Sequence, residues 1–158
     1  MVHLETIYLL VLILLALAPG LEARIAIPYG LIYGFNPLAV FILSYMFSTL
    51  PSILIIYSLS WAESRVVNKI DFLKKIYTWS INRIRNRAEK IRKSRYIYIA
   101  LLLYVAIPLP LTGVWTGSLI AYLLGLDRVK SIISIALGNV IAALLVILSV
   151  LGVLVLLY

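Results

Sequence analysis

Residues 18–28 read APGLEARIAIP, and whether they continue a helix or break one decides the fold. The run just upstream, IYLLVLILLALA at 7–18, is apolar throughout. Glu22 and Arg24 then place two opposite charges where a membrane span would have to go on. Pro19 and Gly20 before them and Pro28 after them favour a broken backbone, since proline lacks an amide donor and glycine adopts turn conformations. In a helix, positions two apart point to different sides; in an extended tip they share a face. A tip therefore allows Glu22 and Arg24 to pair.

The composition is that of a membrane protein. Of 158 residues, 64% are hydrophobic, with a mean hydropathy of +1.10, against about 45–50% apolar content in soluble domains. Each helical crossing needs about 20 apolar residues, so the length allows one compact membrane domain, 1–158, and no separate soluble one. The chain has no cysteine, which excludes disulfides and thiolate metal or redox sites. His3 is its single histidine. With no Ser/His/Asp, Cys/His or metal-ligand constellation, neither enzymatic activity, a metal nor a cofactor is expected. No Lys or Arg precedes Arg24, so residues 1–20 lack the basic start of a secretory signal and read as structure.

Apolar segments fall at 7–18, 25–33, 38–59, 97–108, 118–124 and 132–157. Only 38–59 and 132–157 are long enough to cross about 30 Å of hydrocarbon. The other four are half-length and come in pairs, each pair interrupted by a polar, Pro/Gly-rich tip. Two short limbs around a broken middle predict a re-entrant hairpin that enters and leaves on one face of the membrane. The expected fold is therefore all-α: two repeats, each a re-entrant hairpin followed by one transmembrane helix. Repeat 1 occupies 1–60, with hairpin 6–34 and span 37–59. Repeat 2 occupies 96–158, with hairpin 96–125 and span 131–157. At a constant offset of 91, Pro19 falls on Pro110, Gly34 on Gly125 and Asn36 on Asp127. A hairpin plus one crossing makes the second repeat start on the opposite side, so the repeats are inverted. Residues 6–34 taken as one kinked crossing would instead put the N-terminus in the cytoplasm.

Charge supports the inverted arrangement. Residues 63–95 hold eleven Lys/Arg and three acids, the whole net charge of +8. With this segment in the cytoplasm, Arg128 and Lys130 lie there too, as basic residues prefer. Both termini are then outside, and Arg24 is the single exception, at a tip. Within 61–95, Ile70, Leu73, Tyr77, Ile81, Ile84, Ala88 and Ile91 recur at helical spacing among Lys69, Lys74, Lys75, Arg83, Arg85, Arg87, Lys90, Arg92, Lys93 and Arg95. This predicts a basic amphipathic helix lying on an anionic leaflet. No base-reading fold accompanies the charge, so nucleic acid is not an expected partner; anionic lipid is.

The second tip reads IPLPLTGVWTGSL at 107–119. Pro108 and Pro110 break the incoming limb. Gly113 and Gly117 let the backbone turn and expose its amides, and Thr112 and Thr116 supply hydroxyls. A half-helix starting near Thr116 would aim its positive end at a cavity, suited to phosphate or carboxylate, with Trp115 as a wall or an interfacial anchor. In an inverted repeat the tips meet, bringing Glu22 and Arg24 to Thr112–Gly117.

At these residues, EARIAIPYG (22–30) and VAIPLPLTGVWTGSLIAYLLGL (105–126), the chain resembles the small multi-drug export family, a prokaryotic group distantly similar to the DedA/VTT-domain membrane proteins. Glu22, Arg24, Pro28, Pro108, Pro110, Thr112, Gly113, Trp115, Thr116 and Gly117 stand at that family's motif positions, while Leu111 departs from the small residue of its pattern. The resemblance implies a re-entrant fold and a role in transport. The DedA relatives imply lipid-like cargo, including polyprenyl phosphate, and proton coupling. The expectation is a transporter or flippase, with Glu22 proton-responsive and Arg24 attracting an anion. At this length a homodimer is expected to enclose the pathway. A non-transporting scaffold, its basic helix binding lipid or a partner protein, is the alternative.

Overall fold

The computed structural model describes residues 2–65, 94, 96–109 and 111–157. The basic residues expected on a surface helix, Lys69, Lys74, Lys75, Arg83, Arg85, Arg87, Lys90, Arg92, Lys93 and Arg95, and also Pro110, lie outside these.

Among the described residues all regular structure is helical: α1 (Val2–Leu17), α2 (Glu22–Ile32), α3 (Pro37–Arg65), α4 (Tyr96–Ala106), α5 (Val114–Leu123) and α6 (Arg128–Leu157). Two contain stretches long and apolar enough to cross a membrane, Pro37–Leu59 and Arg128–Val153. The others are too short. Their ends have local causes. Pro19 cannot continue α1, and Gly20 follows it at φ +81°, a left-handed conformation that glycine tolerates. The chain recovers through Glu22, whose N–H reaches the Ala18 carbonyl at 3.3 Å.

The turns that close α2 and α5 match bond for bond, 91 residues apart. Gly34 (φ +77°) and Gly125 (φ +64°) each end a helix in the left-handed cap typical of glycine. Gly34 N–H donates to Leu31 O, and Phe35 N–H to Gly30 O; Gly125 N–H donates to Tyr122 O, and Leu126 N–H to Ala121 O. Next, Asn36 Oδ1 accepts from Leu38 N (2.9 Å) and Ala39 N (3.3 Å), and Asp127 Oδ1 accepts from Lys130 N (2.9 Å). These N-caps start α3 and α6 at matching places.

The short helices fold back in pairs. The Tyr8 ring, early in α1, lies 4.3 Å from that of Tyr33 at the end of α2. In the other half, Asp127 N–H, just past α5, donates to the Tyr98 hydroxyl, early in α4 (3.2 Å). α2 and α5 each pack on both long helices, and the long helices pack on each other. They run antiparallel: Val40, early in α3, shares a core cluster with Ala143 and Ile147, late in α6, while Ile56 clusters with Ile135. Between the clusters, Asn139 Nδ2 donates to Ser48 Oγ and Thr49 Oγ1, both at 2.8 Å.

Around the apolar core clusters, polar side chains are also enclosed and many large apolar ones face outward. Glu22, Ser44, Ser48, Ser52, Ser118, Ser131, Ser134 and Asn139 are buried, while Leu14, Leu54, Leu103, Leu137 and Leu148 are exposed. Without water to drive apolar side chains inward, bundles in lipid pack small residues and join polar groups inside. Gly138 is a case in point: a Cβ there would stand 2.5 Å from the Leu102 carbonyl of α4, so this contact admits only hydrogen.

Candidate functional site

The two polar tips meet, and they meet by capping one another's helices. Glu22 begins α2 at φ +52°, is 2% exposed, and turns its carboxylate away from its own helix. Oε2 accepts from Val114 N–H (3.1 Å) and Oε1 from Trp115 N–H (3.3 Å). These are first-turn amides of α5, which no intrahelical carbonyl can satisfy, and a carboxylate there complements the positive end of the helix. Gly113 makes the approach possible, because any Cβ at this position would overlap the carboxylate.

Arg24 takes the opposite kind of end. Its Nη2 donates to Ile107 O (3.0 Å), Thr112 Oγ1 (3.2 Å) and, at a longer 3.4 Å, Val105 O. Those carbonyls close α4, where the helix dipole is negative and a cation is favoured. Acid to the N-terminus and base to the C-terminus is the arrangement both helices prefer. Trp115 returns the contact, its Nε1–H donating to Leu17 O (3.2 Å), the last residue of α1. Arg24 Nη1 lies 3.9 Å from Glu22 Oε2, at the outer limit of an ion pair. The charges are thus recruited to different helix ends more than to each other.

The remaining expected residues divide. Thr112 Oγ1 donates to the carbonyls of Ile107 (2.7 Å) and Leu109 (2.8 Å), and Thr116 Oγ1 to those of Leu111 (2.7 Å) and Gly113 (3.2 Å). Both hold the second tip in shape. Pro19, Gly20, Glu22, Leu111, Gly113, Trp115, Thr116 and Leu119 line a cavity of about 220 Å³ between the tips. Pro108 is exposed in the break after α4. Two expectations need correction. Pro28 does not mark a break; it lies inside α2, whose packing on α1, α3 and α6 is the setting in which a helix keeps an internal proline. Gly117 belongs to packing, its missing Cβ giving room to Val105 of α4. The half-helix also starts two residues earlier than expected, at Val114, so its free end meets Glu22.

Leu111 and Tyr104 were not singled out by sequence reasoning as site residues. Leu111 holds φ +68°, and its carbonyl accepts from both Thr116 and the Tyr104 hydroxyl (2.8 Å). Among the described residues, the non-glycines with left-handed backbones are Glu22 and Leu111. Both belong to the clasp in which the two tips cap one another's helices. Such strain persists where surrounding contacts over-determine it, which is common at functional sites. Asn139 was also missed; a lone amide inside an apolar 30-residue helix was the available signal.

Among the described residues, a helical bundle with two span-length helices, an apolar exterior and a buried acid and base on α2 that bond to the ends of α4 and α5 defines an integral membrane protein with a polar internal site. The chain belongs to the family whose model, described as "Putative small multi-drug export protein", matches residues 22–145. The match runs from Glu22 through the clasp and most of α6. No curated protein and no solved structure matches the chain.

Proposed function

We propose that this protein is a proton-coupled transporter or flippase, moving a small amphipathic or lipid-like substrate past the clasp between its two tips. The observation that carries the reading is the Glu22 carboxylate, sent from the first tip into the N-terminus of α5 in the second. A buried acid and base joining two broken helices is the pattern of a substrate or ion pathway. The family's description as an export protein agrees with it.

In this reading α1–α2 and α4–α5 are re-entrant hairpins of inverted repeats, and α3 and α6 are the crossings. Support comes from the matched turns 91 residues apart, from the fold-back of Tyr8 onto Tyr33 and from the antiparallel long helices. A single kinked crossing over 6–34 would separate those two tyrosines. Orientation follows charge. Arg128 lies over the Tyr57 ring near the end of α3 (5.7 Å), and Lys130 over Tyr98 near the start of α4 (5.9 Å). The basic end therefore faces the cytoplasm and both termini face outward. We further read the working unit as a homodimer, whose mass in detergent checks it.

Reconstituted vesicles supply the test. Flux of labelled polyprenyl phosphate, phospholipid and a cationic drug is measured with and without a pH gradient. Glu22→Gln and Arg24→Ala should abolish flux while the protein stays folded and monodisperse. Unchanged flux in both variants removes the assignment.

A further inference from the structure

The N-terminus of α5 is the kind of site that binds a phosphate or carboxylate, and here the protein's own carboxylate fills it. The base beside it is incompletely used. Arg24 carries five N–H donors, its described hydrogen bonds all fall on Nη2, and its Nε and Nη1 are buried without a hydrogen-bond partner. The Arg24 side chain is only 10% exposed, so these donors have no bulk water to turn to. Nη1 faces the same Glu22 oxygen that accepts from Val114, and Glu22 lines the 220 Å³ cavity.

We propose that Glu22 is a tethered stand-in for a substrate oxyanion: when Glu22 takes up a proton, the α5 amides and Arg24 pass to an incoming phosphate-, sulfate- or carboxylate-type group, so that proton and anion bind together. This rests on the transporter reading above and adds the charge of the substrate and the sense of coupling.

Charge balance dictates the linkage. The ionised Glu22 and Arg24 sum to zero. A second anion added to them would leave a buried uncompensated negative charge, which is strongly disfavoured. Protonating Glu22 restores neutrality with one guanidinium facing one external anion. No other described group can substitute. α1, α3 and α6 pack on α2 with Leu12, Ala16, Val40, Ala143 and Ile147, α5 offers backbone amides, and α4 adds only the hydroxyl of Tyr104, already donating to Leu111 O. A neutral carboxyl also loses its attraction to the helix end and can yield the amides. Each anionic charge therefore travels with about one proton, in the same direction.

The test uses the full chain in lipid nanodiscs, titrated with octyl sulfate in one arm and methyl sulfate in the other. Both probes keep a fixed single charge near neutrality, so any proton taken up belongs to the protein. Calorimetry in two buffers of different ionisation enthalpy counts protons per anion bound. The expected count is about one, with affinity rising about tenfold for each unit the pH falls, the slope of one linked proton. In Glu22→Gln the count should drop to zero and the slope should vanish. Binding of octyl sulfate alone identifies a lipid headgroup; binding of both identifies the free oxyanion. Anion binding without proton uptake, proton release, or uptake that persists in Glu22→Gln overturns the proposal. So does absence of binding in both arms while vesicles still export a cationic drug, an outcome that leaves the transporter reading intact. Loss of that reading would show instead as no flux of any cargo.

Discussion

Arg24 and Trp115 stand 91 residues apart and perform the same task on opposite partners. Arg24 donates to Ile107 O at the end of α4 (3.0 Å), and Trp115 Nε1–H donates to Leu17 O at the end of α1 (3.2 Å). Each tip thus donates to a carbonyl at the C-terminal end of the other half's broken helix, where carbonyls lack intrahelical partners. Neither break is complete without the other half. In lipid an open helix end costs several kcal/mol per unsatisfied group, so the tips are held together by the same interruptions that weaken each limb.

Glu22→Ala should strongly destabilise the fold. It leaves the Val114 and Trp115 amides without their acceptor, about 1–3 kcal/mol for each buried donor. Glu22→Gln keeps one oxygen and should lose less. Unfolding of the purified variants followed by circular dichroism orders them: wild type, then Gln, then Ala.

Leu111→Gly should stabilise the protein by about 1 kcal/mol, because a left-handed conformation costs a non-glycine residue about 1–2 kcal/mol. Leu111 is 71% exposed, so little packing is lost in exchange. The mirror experiment is Gly20→Ala. A Cβ at Gly20 meets nothing within 4 Å, so its loss of stability, also about 1 kcal/mol, would report backbone strain alone.

Asn139 and Ser48 should couple in a double-mutant cycle to alanine by roughly 0.5–1.5 kcal/mol, the range for hydrogen bonds between helices in membranes. Ser48 and Thr49 spend their hydroxyl protons on Tyr45 O, leaving lone pairs for the Asn139 amide. Ser44 is the contrast. Its Oγ is buried without a partner, so Ser44→Ala should be neutral or stabilising in the same assay.

Gly138→Ala should cost about 1–3 kcal/mol, the usual penalty of overpacking. The added methyl meets the Leu102 carbonyl and the Val105 Cβ, and a backbone cannot swing aside as a flexible side chain can. Apparent melting temperature of the variant against wild type measures it. A substitution at Gly152, where a Cβ would meet nothing within 4 Å, is the control.

Much of this was legible in the amino-acid order. Hydropathy and length separate the two span-length helices from the short ones. Pro19, Gly20, Gly34 and Gly125 mark helix ends because their effects on the backbone are local, and the caps at Asn36 and Asp127 reach only two or three residues ahead. The prominence of Glu22 and Arg24 was equally plain, since two charges in an apolar stretch demand partners. The inverted repeat also brought both charges toward Thr112–Gly117, but the order of residues could not decide which helix end each would take. Spacing alone allowed the two charges to pair with each other; the tertiary structure gives each a helix end more than 80 residues away. Pro28 misled for the same reason, because a proline that would break an isolated helix persists inside one packed on three others. Local chemistry set where the chain breaks. Only the assembled bundle, by placing an open N-terminus beside a carboxylate and open carbonyls beside a guanidinium, decided how those breaks are healed.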